Sequence, residues 1–357
     1  MQPAAFNDAG GWPGVLSELF ARHDLPGTLA GAAFDEILSG RSEPTQIAAF
    51  LAALRTKGET VEEMTGFVSS MRRHGESVEL TGEAMDTCGT GGDRSGTINV
   101  STAAALICAG AGVAVCKHGN RAMSSQAGSA DVLEALGVAV DLGPAGVARC
   151  VEQAGMGFCL APRFHPAMRH AGPIRAQLGV ATIFNFLGPL ANPARVRRQV
   201  VGVGDPRMAE HMLGVLEANG AQHAIVCYGG DGLDELSTTA PSTVLESRLL
   251  PDGSREQRRY ELDAESYGIA RASREELVGG NPEVNAQRVR AILSGEAGPQ
   301  RDIVCWNAAA ALYVGGAADD IGKGLALANE TLDSGAAAGA LSRLVEASMR
   351  ARHDGLI

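Results

Sequence analysis

The chain has 357 residues, a formal net charge of −11 and a hydrophobic fraction of 45%. This length suffices for about two domains with buried cores. The acidic balance argues against a nucleic-acid or anionic-membrane partner, so an anionic substrate has to be held by local features of a site. No apolar run reaches the roughly 18 residues of a membrane span, and the N-terminus lacks signal-peptide features. We therefore predict a cytoplasmic protein.

The cysteines exclude two further classes of site. There are seven of them, an odd number, mostly in apolar surroundings and without a C-x-x-C pair. This pattern is typical of reduced core residues and not of a disulfide framework or a zinc site. Cys88, although it lies beside a glycine-rich segment, is predicted to serve packing.

Residues 12–75 are predicted to be helical throughout. Ile47, Phe50, Leu51 and Leu54 recur with helical spacing, and a similar apolar pattern follows over 61–71. Lys57 and Gly58 end one helix, and Thr60 with Glu63 forms a capping box at the start of the next. Only the first ten or so residues of the chain are predicted to be disordered.

From about residue 80, short apolar runs alternate with helical stretches, which indicates an α/β fold with a mainly parallel sheet. The predicted helices include 131–136, 146–154 and 206–219, the last with Asp205 as its N-cap and Gly220 as its stop. The predicted strands are Met85–Cys88, Val113–Lys117, Gly157–Leu160, Arg198–Gly202, Ala224–Tyr228 and, less clearly marked, Ser242–Glu246.

Two regions depart from this rhythm. The stretch 163–193 interrupts the alternation, and its helical segments are predicted to pack back on the N-terminal helices. After residue 255 the density of charged residues rises, and 305–353 is predicted to form two long alanine-rich helices.

Three small-residue segments indicate a phosphate site. Gly89–Asp93 reads Gly-Thr-Gly-Gly-Asp and leads through 97–102 into a predicted helix at 103–111; Lys117–Arg121 and Ser124–Asp131 follow. Glycine leaves backbone N–H groups open to an anion, and a helix N-terminus favours phosphate oxygens. The P-loop pattern is absent, and the dinucleotide pattern fails at Arg94. A site for another kind of phosphate ligand is therefore predicted.

Together these motifs resemble the anthranilate phosphoribosyltransferase family, from about residue 12 to residue 350. The segments that carry the resemblance are Gln46–Thr60, Gly89–Asp93, Asn99–Thr102, Lys117–Arg121, Gly128–Asp131, His165–Arg175, Phe184–Pro193, Asp231–Glu235 and Asn307–Tyr313.

The resemblance implies a small helical domain and a larger α/β domain of the nucleoside-phosphorylase, or class III phosphoribosyltransferase, type. The implied boundaries are 1–77 for the helical domain, joined by returning helices at about 165–190, and 78–164 with 191–357 for the α/β domain. It also implies a homodimer joined through the helical domains. The implied reaction transfers the phosphoribosyl group of phosphoribosyl pyrophosphate to the amine of anthranilate in tryptophan biosynthesis, with two Mg²⁺ ions per monomer.

The resemblance further assigns residues to roles. Lys117, Arg175, Asp234 and Glu235 are the expected catalytic residues, and Ser101, Asp234 and Glu235 the expected metal ligands. Asp231 is predicted to form a turn instead. The expected contacts of anthranilate are Gly89, Asn120, Arg175, His118 and His165. Those of phosphoribosyl pyrophosphate are Gly89, Gly92, Asp93, Thr97, Asn99, Val100, Ser101, Thr102, Lys117, His118, Gly119, Asn120, Arg121, Ala122, Met123, Ser124, Ser125 and Ser129.

Two other functions remain open at this point. A pyrimidine nucleoside phosphorylase has the same fold class, but Lys117–Arg121 and the Asp234–Glu235 pair argue against it, because that family typically shows Ser after Lys-His. A relative without catalytic activity that binds nucleic acid should have lost part of the pyrophosphate site and gained basic charge, in contrast to the net charge of −11.

Overall fold

The computed structural model describes residues 2–122 and 126–357. The N-terminal part is a bundle of helices, and the larger remainder is an α/β unit. The helices of the first part are α1 Gln2–Asp8, α2 Gly11–Phe20, α3 Gly27–Leu38, α4 Pro44–Lys57 and α5 Val61–His74.

Local sequence signals set the helix ends in this bundle. Thr60 Oγ1 accepts a hydrogen bond from Glu63 N–H, and the Glu63 carboxylate accepts one from Thr60 N–H, so the predicted capping box is confirmed. Gly58 ends α4 with φ of 92°, a backbone angle that favours glycine. The expected disorder of the first ten or so residues is wrong for residues 2–8, because α1 forms there and the ring of Phe6 packs on that of Trp12 at 5.4 Å.

The α/β unit is built on one sheet of seven strands. In spatial order these are β3, β2, β1, β4, β5, β6 and β7; the first five are parallel and the last two are antiparallel to their neighbours. The strands are β1 Met85–Gly89, β2 Val115–Gly119, β3 Met156–Leu160, β4 Arg198–Gly202, β5 His223–Gly229, β6 Ser242–Leu249 and β7 Arg255–Leu262.

Helices cover both faces of this sheet. Short 3₁₀ turns lie at Pro166–His170, Pro206–Met208 and Ala264–Tyr267. The α-helices are α6 Val100–Gly110, α7 Ser129–Ala135, α8 Pro144–Ala154, α9 Ala161–Phe164, α10 Gly172–Leu178, α11 Phe184–Leu190, α12 Ala209–Ala218, α13 Arg274–Leu277, α14 Pro282–Leu293, α15 Pro299–Gly315, α16 Ile321–Asp333 and α17 Ala336–His353. In the part of the chain that the structure describes, every helix is too short or too polar to cross a membrane.

The structure corrects the predictions for the C-terminal region. Three helices, α15 to α17, occupy the region that was predicted to hold two, because turns at Gly316 and Gly335, both with positive φ, divide it. Strand β7 was not predicted, and its charged residues lie on a sheet edge, where exposed polar side chains are favoured.

The segment 163–193 returns to the helical bundle, as its sequence predicted. The ring of Phe184 lies 4.9 Å from that of Phe34, and one buried apolar cluster contains Phe34, Phe67, Phe184 and Leu187. Since this segment joins β3 to β4, it also runs beside the sheet, and so it links the bundle to the site described next.

Candidate active site

The site lies where the chain order of the strands reverses. β1 is flanked by β2 on one side and β4 on the other, and in such sheets ligands bind beyond the carboxyl ends of the strands at this point. Gly89 and Gly202 are paired at these two carboxyl ends. A Cβ on Gly202 would lie 1.6 Å from Asp234 O, and one on Gly89 would lie 2.2 Å from Asp234 Oδ2. Glycine at both positions therefore admits the segment after β5 into the crevice.

An acidic cluster of Asp93, Asp234 and Glu235 occupies this crevice. Asp234 Oδ2 accepts a hydrogen bond of 2.7 Å from Gly91 N–H. The backbone N–H of Ser101, at the start of α6, favours the ionised form of Glu235. Burial, followed by the charge of Asp93, raises the pKa of Asp234 to about 7. Burial, followed by the charge of Asp234, raises the pKa of Glu235 well above its usual range. The site therefore favours a bound cation, which would stabilise the ionised carboxylates.

Lys117 brings a positive charge to the same place. It is buried on β2, and its Nζ donates hydrogen bonds to Thr87 O and, at 3.2 Å, to Ser101 Oγ. Its charge opposes the rise in the pKa of Glu235. Lysine, serine hydroxyl and carboxylates thus meet at the N-terminus of α6, where the helix dipole also favours an anion.

The donor set fits Mg²⁺, which prefers oxygen ligands and keeps several waters and substrate phosphates in its shell. Asp234, Glu235 and the Ser101 hydroxyl supply such oxygens. Among the described residues, no three His, Cys, Asp or Glu side chains form a metal site by themselves. An ion here would therefore complete its coordination with phosphate oxygens and water.

The glycine-rich loop 90–99 has the geometry of an anion cradle. Gly91 and Gly92 have φ of 70° and 85°, and among the described residues no atom outside their chain neighbours stands within 4 Å of where their Cβ atoms would be. Asp93 Oδ1 accepts a hydrogen bond of 3.2 Å from Ser95 N–H. Thr97 pairs with Val278 in an isolated bridge, and the loop leads into α6 through Asn99, Val100, Ser101 and Thr102.

Asp131 holds together the two ends of the second loop, which joins β2 to α7. Its Oδ2 accepts hydrogen bonds from Ala122 N–H at 2.8 Å and from Gly128 N–H at 2.9 Å. Asn120 O accepts one from Ser129 Oγ at 3.2 Å, directly after Gly119 at the end of β2. Arg121 points to carboxylates, with its Nη1 3.2 Å from Asp131 and also paired with Glu134. The predicted contacts Met123, Ser124 and Ser125 lie outside the described residues.

Three residues predicted for anthranilate surround α11. His118 Nδ1 donates a hydrogen bond of 2.9 Å to Gly188 O, and His165 Nε2 lies 3.1 Å from Ala191 O. The two rings are 5.1 Å apart, and burial lowers the pKa of His118 to about 3 and that of His165 to about 4. The Arg175 guanidinium lies 5.2 Å from the Phe184 ring, and no carboxylate among the described residues pairs with it. An anionic ligand would supply the missing partner.

The structure also bears on the predictions for Asp231 and for the cysteines. Asp231 forms the predicted turn, because its carboxylate accepts hydrogen bonds from Ser237 Oγ, Thr239 Oγ1 and Leu233 N–H. Every cysteine among the described residues is free and buried, and burial raises the pKa of Cys88 well above its usual range. Cys88 is therefore unsuited to act as a nucleophile.

Asp86 was missed at the sequence level. It is fully buried on β1, and its Oδ2 accepts hydrogen bonds from Asn192 Nδ2 at 2.9 Å and from His118 N–H at 3.2 Å. It thereby joins the end of segment 163–193 to β2. The available signal was an acidic residue within the predicted apolar strand Met85–Cys88.

Comparison with known proteins identifies the class. Residues 13–75 match the helical bundle domain of the glycosyl transferase family, and residues 81–338 match its a/b domain. The chain thus belongs to this glycosyltransferase family and has both of its domains.

Whole-chain relatives define the family more narrowly. Anthranilate phosphoribosyltransferase of Roseiflexus castenholzii is 52% identical over 334 residues, 93% of this chain and 97% of that one. The crystal structure of the Thermus thermophilus enzyme is 40% identical, with a TM-score of 0.87 over 94% of this chain and 99% of that one. The Saccharomyces cerevisiae enzyme in complex with phosphoribosyl pyrophosphate and Mg is 26% identical, with a TM-score of 0.86 over 95% and 98% of the two chains. The chain belongs to the anthranilate phosphoribosyltransferase family and is a phosphoribosyltransferase.

Proposed function

We propose that the crevice between β1 and β4 carries the reaction of this family. In that reaction the phosphoribosyl group passes from 5-phosphoribosyl 1-pyrophosphate to the amine of anthranilate, giving N-(5-phosphoribosyl)anthranilate and pyrophosphate in tryptophan biosynthesis. The observation that carries this proposal is the meeting of Lys117, Ser101, Asp234 and Glu235 at the N-terminus of α6, beside a glycine-rich loop.

The positive groups of the crevice support the proposed position of pyrophosphate. Breaking the bond at C1 of the ribose leaves negative charge on pyrophosphate, and preorganised positive groups stabilise that charge best. Lys117, the N–H groups of Gly92 and Asp93 and the start of α6 would supply them. The glycine-rich loop 90–99 and the segment 117–129 would hold the phosphates. That segment includes Met123, Ser124, Ser125 and Ser129.

Mg²⁺ would be held by Asp234, Glu235 and the Ser101 hydroxyl, and we propose two ions per monomer. When bound, Mg²⁺ supplies positive charge to the leaving pyrophosphate. The pKa of Asp234, raised to about 7, supports this assignment. Without a cation to neutralise them, the buried carboxylates repel one another and retain a proton. The complex of the yeast relative with phosphoribosyl pyrophosphate and Mg supports it as well.

The anthranilate side lies toward α11. Arg175 would hold the carboxylate of anthranilate by a planar two-pronged contact, and Asn120 and Gly89 would lie near its amine. His118 and His165, whose low pKa values keep them uncharged at neutral pH, would form part of the wall. The aromatic amine of anthranilate is itself neutral and nucleophilic. The reaction therefore needs correct positioning of the two substrates and no strong general base.

Assembly, compartment and domain limits are part of the same proposal. A homodimer through the helical domain is supported by Phe20 on α2, which is 67% exposed. We propose a cytoplasmic enzyme with a helical domain at 1–77, joined by helices at about 165–190, and an α/β domain at 78–164 and 191–357.

A fluorescence assay tests the proposed activity directly. Anthranilate fluorescence should fall only when phosphoribosyl pyrophosphate and Mg²⁺ are both present, and the product should be N-(5-phosphoribosyl)anthranilate. Consumption of thymidine with inorganic phosphate, without loss of anthranilate, would instead indicate a pyrimidine nucleoside phosphorylase.

A further inference from the structure

Asn285 connects the C-terminal part of the chain to the two loops assigned to phosphoribosyl pyrophosphate. It lies near the start of α14 and is 2% exposed. Its Oδ1 accepts a hydrogen bond of 2.7 Å from Gly280 N–H, and its Nδ2 donates one of 2.8 Å to Asn99 Oδ1. Asn99 Nδ2 in turn donates one of 3.1 Å to Ala127 O. A chain of two amides thus runs from α14 across the start of α6 to the second loop.

The direction of each bond in this chain is fixed by its ends. The Gly280 N–H group can only donate, so the atom of Asn285 that faces it is the oxygen. The Asn285 nitrogen therefore faces Asn99, whose own oxygen accepts. The Asn99 nitrogen then faces Ala127 O, a carbonyl that can only accept. Because every link is complementary, the buried Asn285 holds the amide of Asn99 in one orientation.

The segment 277–280 supports the same loop along its backbone. Ile98 N–H donates to Leu277 O at 3.1 Å, and Gly279 N–H donates to Gly96 O at 2.8 Å. A Cβ on Gly279 would lie 2.5 Å from Asn285 Oδ1. Asn285 therefore packs directly against the segment that borders the far end of the glycine-rich loop.

We propose that Asn285 is a positioning residue for phosphoribosyl pyrophosphate. It acts through Asn99, so the inference rests on the role proposed above for Asn99. By fixing the Asn99 amide, Asn285 holds the loop 90–99 and the segment around Ala127 at one separation before the substrate binds. Such preorganisation lowers the cost of ordering the site on binding. Anthranilate, assigned to the side of α11, gains nothing from this contact.

Steady-state kinetics of Asn285→Ala tests this role, with each substrate varied in turn. One lost orienting hydrogen bond should raise the KM for phosphoribosyl pyrophosphate about tenfold. The KM for anthranilate and kcat should change less than about twofold. Asn285→Asp, which keeps the acceptor for Gly280 but places an oxygen against Asn99 Oδ1, should act in the same direction and serves if the alanine variant does not fold.

Asn329→Ala is the matched control. Asn329 Nδ2 donates to Leu325 O on α16 and its Oδ1 accepts from Arg301, so it makes similar bonds remote from both loops. This control should leave the KM of both substrates unchanged. A lower melting temperature of the Asn285 variants with unchanged KM values would overturn the inference, since it would show a purely structural residue.

Asn99→Ala separates this inference from the proposed site. If Asn99→Ala leaves the KM for phosphoribosyl pyrophosphate unchanged, the proposed role of Asn99 fails and the inference fails with it. If Asn99→Ala raises this KM while the Asn285 variants do not, only the inference fails. If both raise it, the double variant should be no worse than Asn99→Ala alone, because Asn285 acts through Asn99. Additive effects of the two substitutions on this KM would contradict an action of Asn285 through Asn99.

Discussion

Gly89 and Asp234 approach so closely that a side chain on the first would displace the second. The missing Cβ of Gly89 would lie 2.2 Å from Asp234 Oδ2, which also accepts the hydrogen bond from Gly91 N–H. We expect Gly89→Ala to cut turnover roughly 10²-fold, because it displaces a charge-stabilising group. Gly82→Ala is the control, because in the described part of the chain no atom beyond its two neighbours lies within 4 Å of the added Cβ. Equal activity of the two variants in the fluorescence assay would refute this reading of the crevice.

The double variant Asp234→Asn with Glu235→Gln tests the metal ligands. Loss of both carboxylates should lower turnover by roughly 10²-fold or more and raise the Mg²⁺ concentration needed for half-maximal rate. The control is Asp319→Asn with Glu330→Gln, two exposed positions. An unchanged Mg²⁺ titration in a folded Asp234/Glu235 variant would remove these residues from the metal site. A chelator should abolish activity of the wild type.

Arg175→Ala should separate the two substrates. The guanidinium lacks a carboxylate partner among the described residues, and a lost charge-assisted contact costs about 1.5–3 kcal/mol. The KM for anthranilate should therefore rise roughly ten- to a hundredfold, and far more than that for phosphoribosyl pyrophosphate. Arg169→Ala, an exposed arginine of the same segment, is the control. Equal rises in both KM values would mean that Arg175 supports the segment 163–193 instead.

Glu246 should make the stability of the protein depend on acid pH. Burial alone would raise its pKa, but hydrogen bonds from His223, Tyr313 and Tyr260 outweigh that effect and lower the pKa to about 2. A lowered pKa contributes stability that is complete above the unfolded value, near 4.5, and is lost as pH falls toward 2. Glu246→Gln should thus reduce the free energy of unfolding by about 2–3 kcal/mol at neutral pH.

Urea unfolding of wild type and Glu246→Gln from pH 7 to pH 3 measures this effect. The difference should be constant down to about pH 5 and shrink below it. Glu246 lines a cleft of about 620 Å³ beside β7 that includes none of the crevice residues, so activity at neutral pH should persist. A difference in stability that does not change with pH would show that packing, and not ionisation, causes it.

The proposed dimer is tested by light scattering. A monomer has a mass of 36.8 kDa, and the particle in solution should have about twice that mass. Phe20→Glu, which places a charge on the exposed part of α2, should shift the particle toward the monomer. Asn7→Glu, an exposed change on α1 that adds the same single negative charge, is the comparison for charge alone. A monomeric wild type at micromolar concentration would contradict the proposal.

Local patterns in the sequence predicted most of the fold. Apolar runs and turn residues placed the first six strands of the sheet, and Thr60 with Glu63 predicted a helix start that the structure confirms. The strand β7 was missed because Arg255–Leu262 carries charged residues along a sheet edge, where apolar alternation is not required. The break between α15 and α16 was missed because alanine-rich sequence favours helix on both sides of Gly316.

The parts of the site that were missed depend on residues distant in sequence. Asp86 meets Asn192, and Asn99 meets Asn285, through single hydrogen bonds across the tertiary structure. Neither pair has a local signature, because an asparagine or aspartate side chain satisfies the same bonding rules in any turn. The resemblance supplied the motifs that face the substrates, but the contacts behind those motifs required coordinates.

The ring of Phe184 in the core of the helical bundle bears on how the chain folds during its synthesis. Phe34 and Phe67 pack on each other, and Phe34 packs on Phe184, which follows β1, β2 and β3 in chain order. The bundle is translated first but completed late, after three of the strands have emerged. Until then the apolar residues that Phe184 covers remain exposed, and exposed apolar surface on an incomplete fold favours aggregation. A fragment that ends at residue 77 should therefore need a chaperone or aggregate.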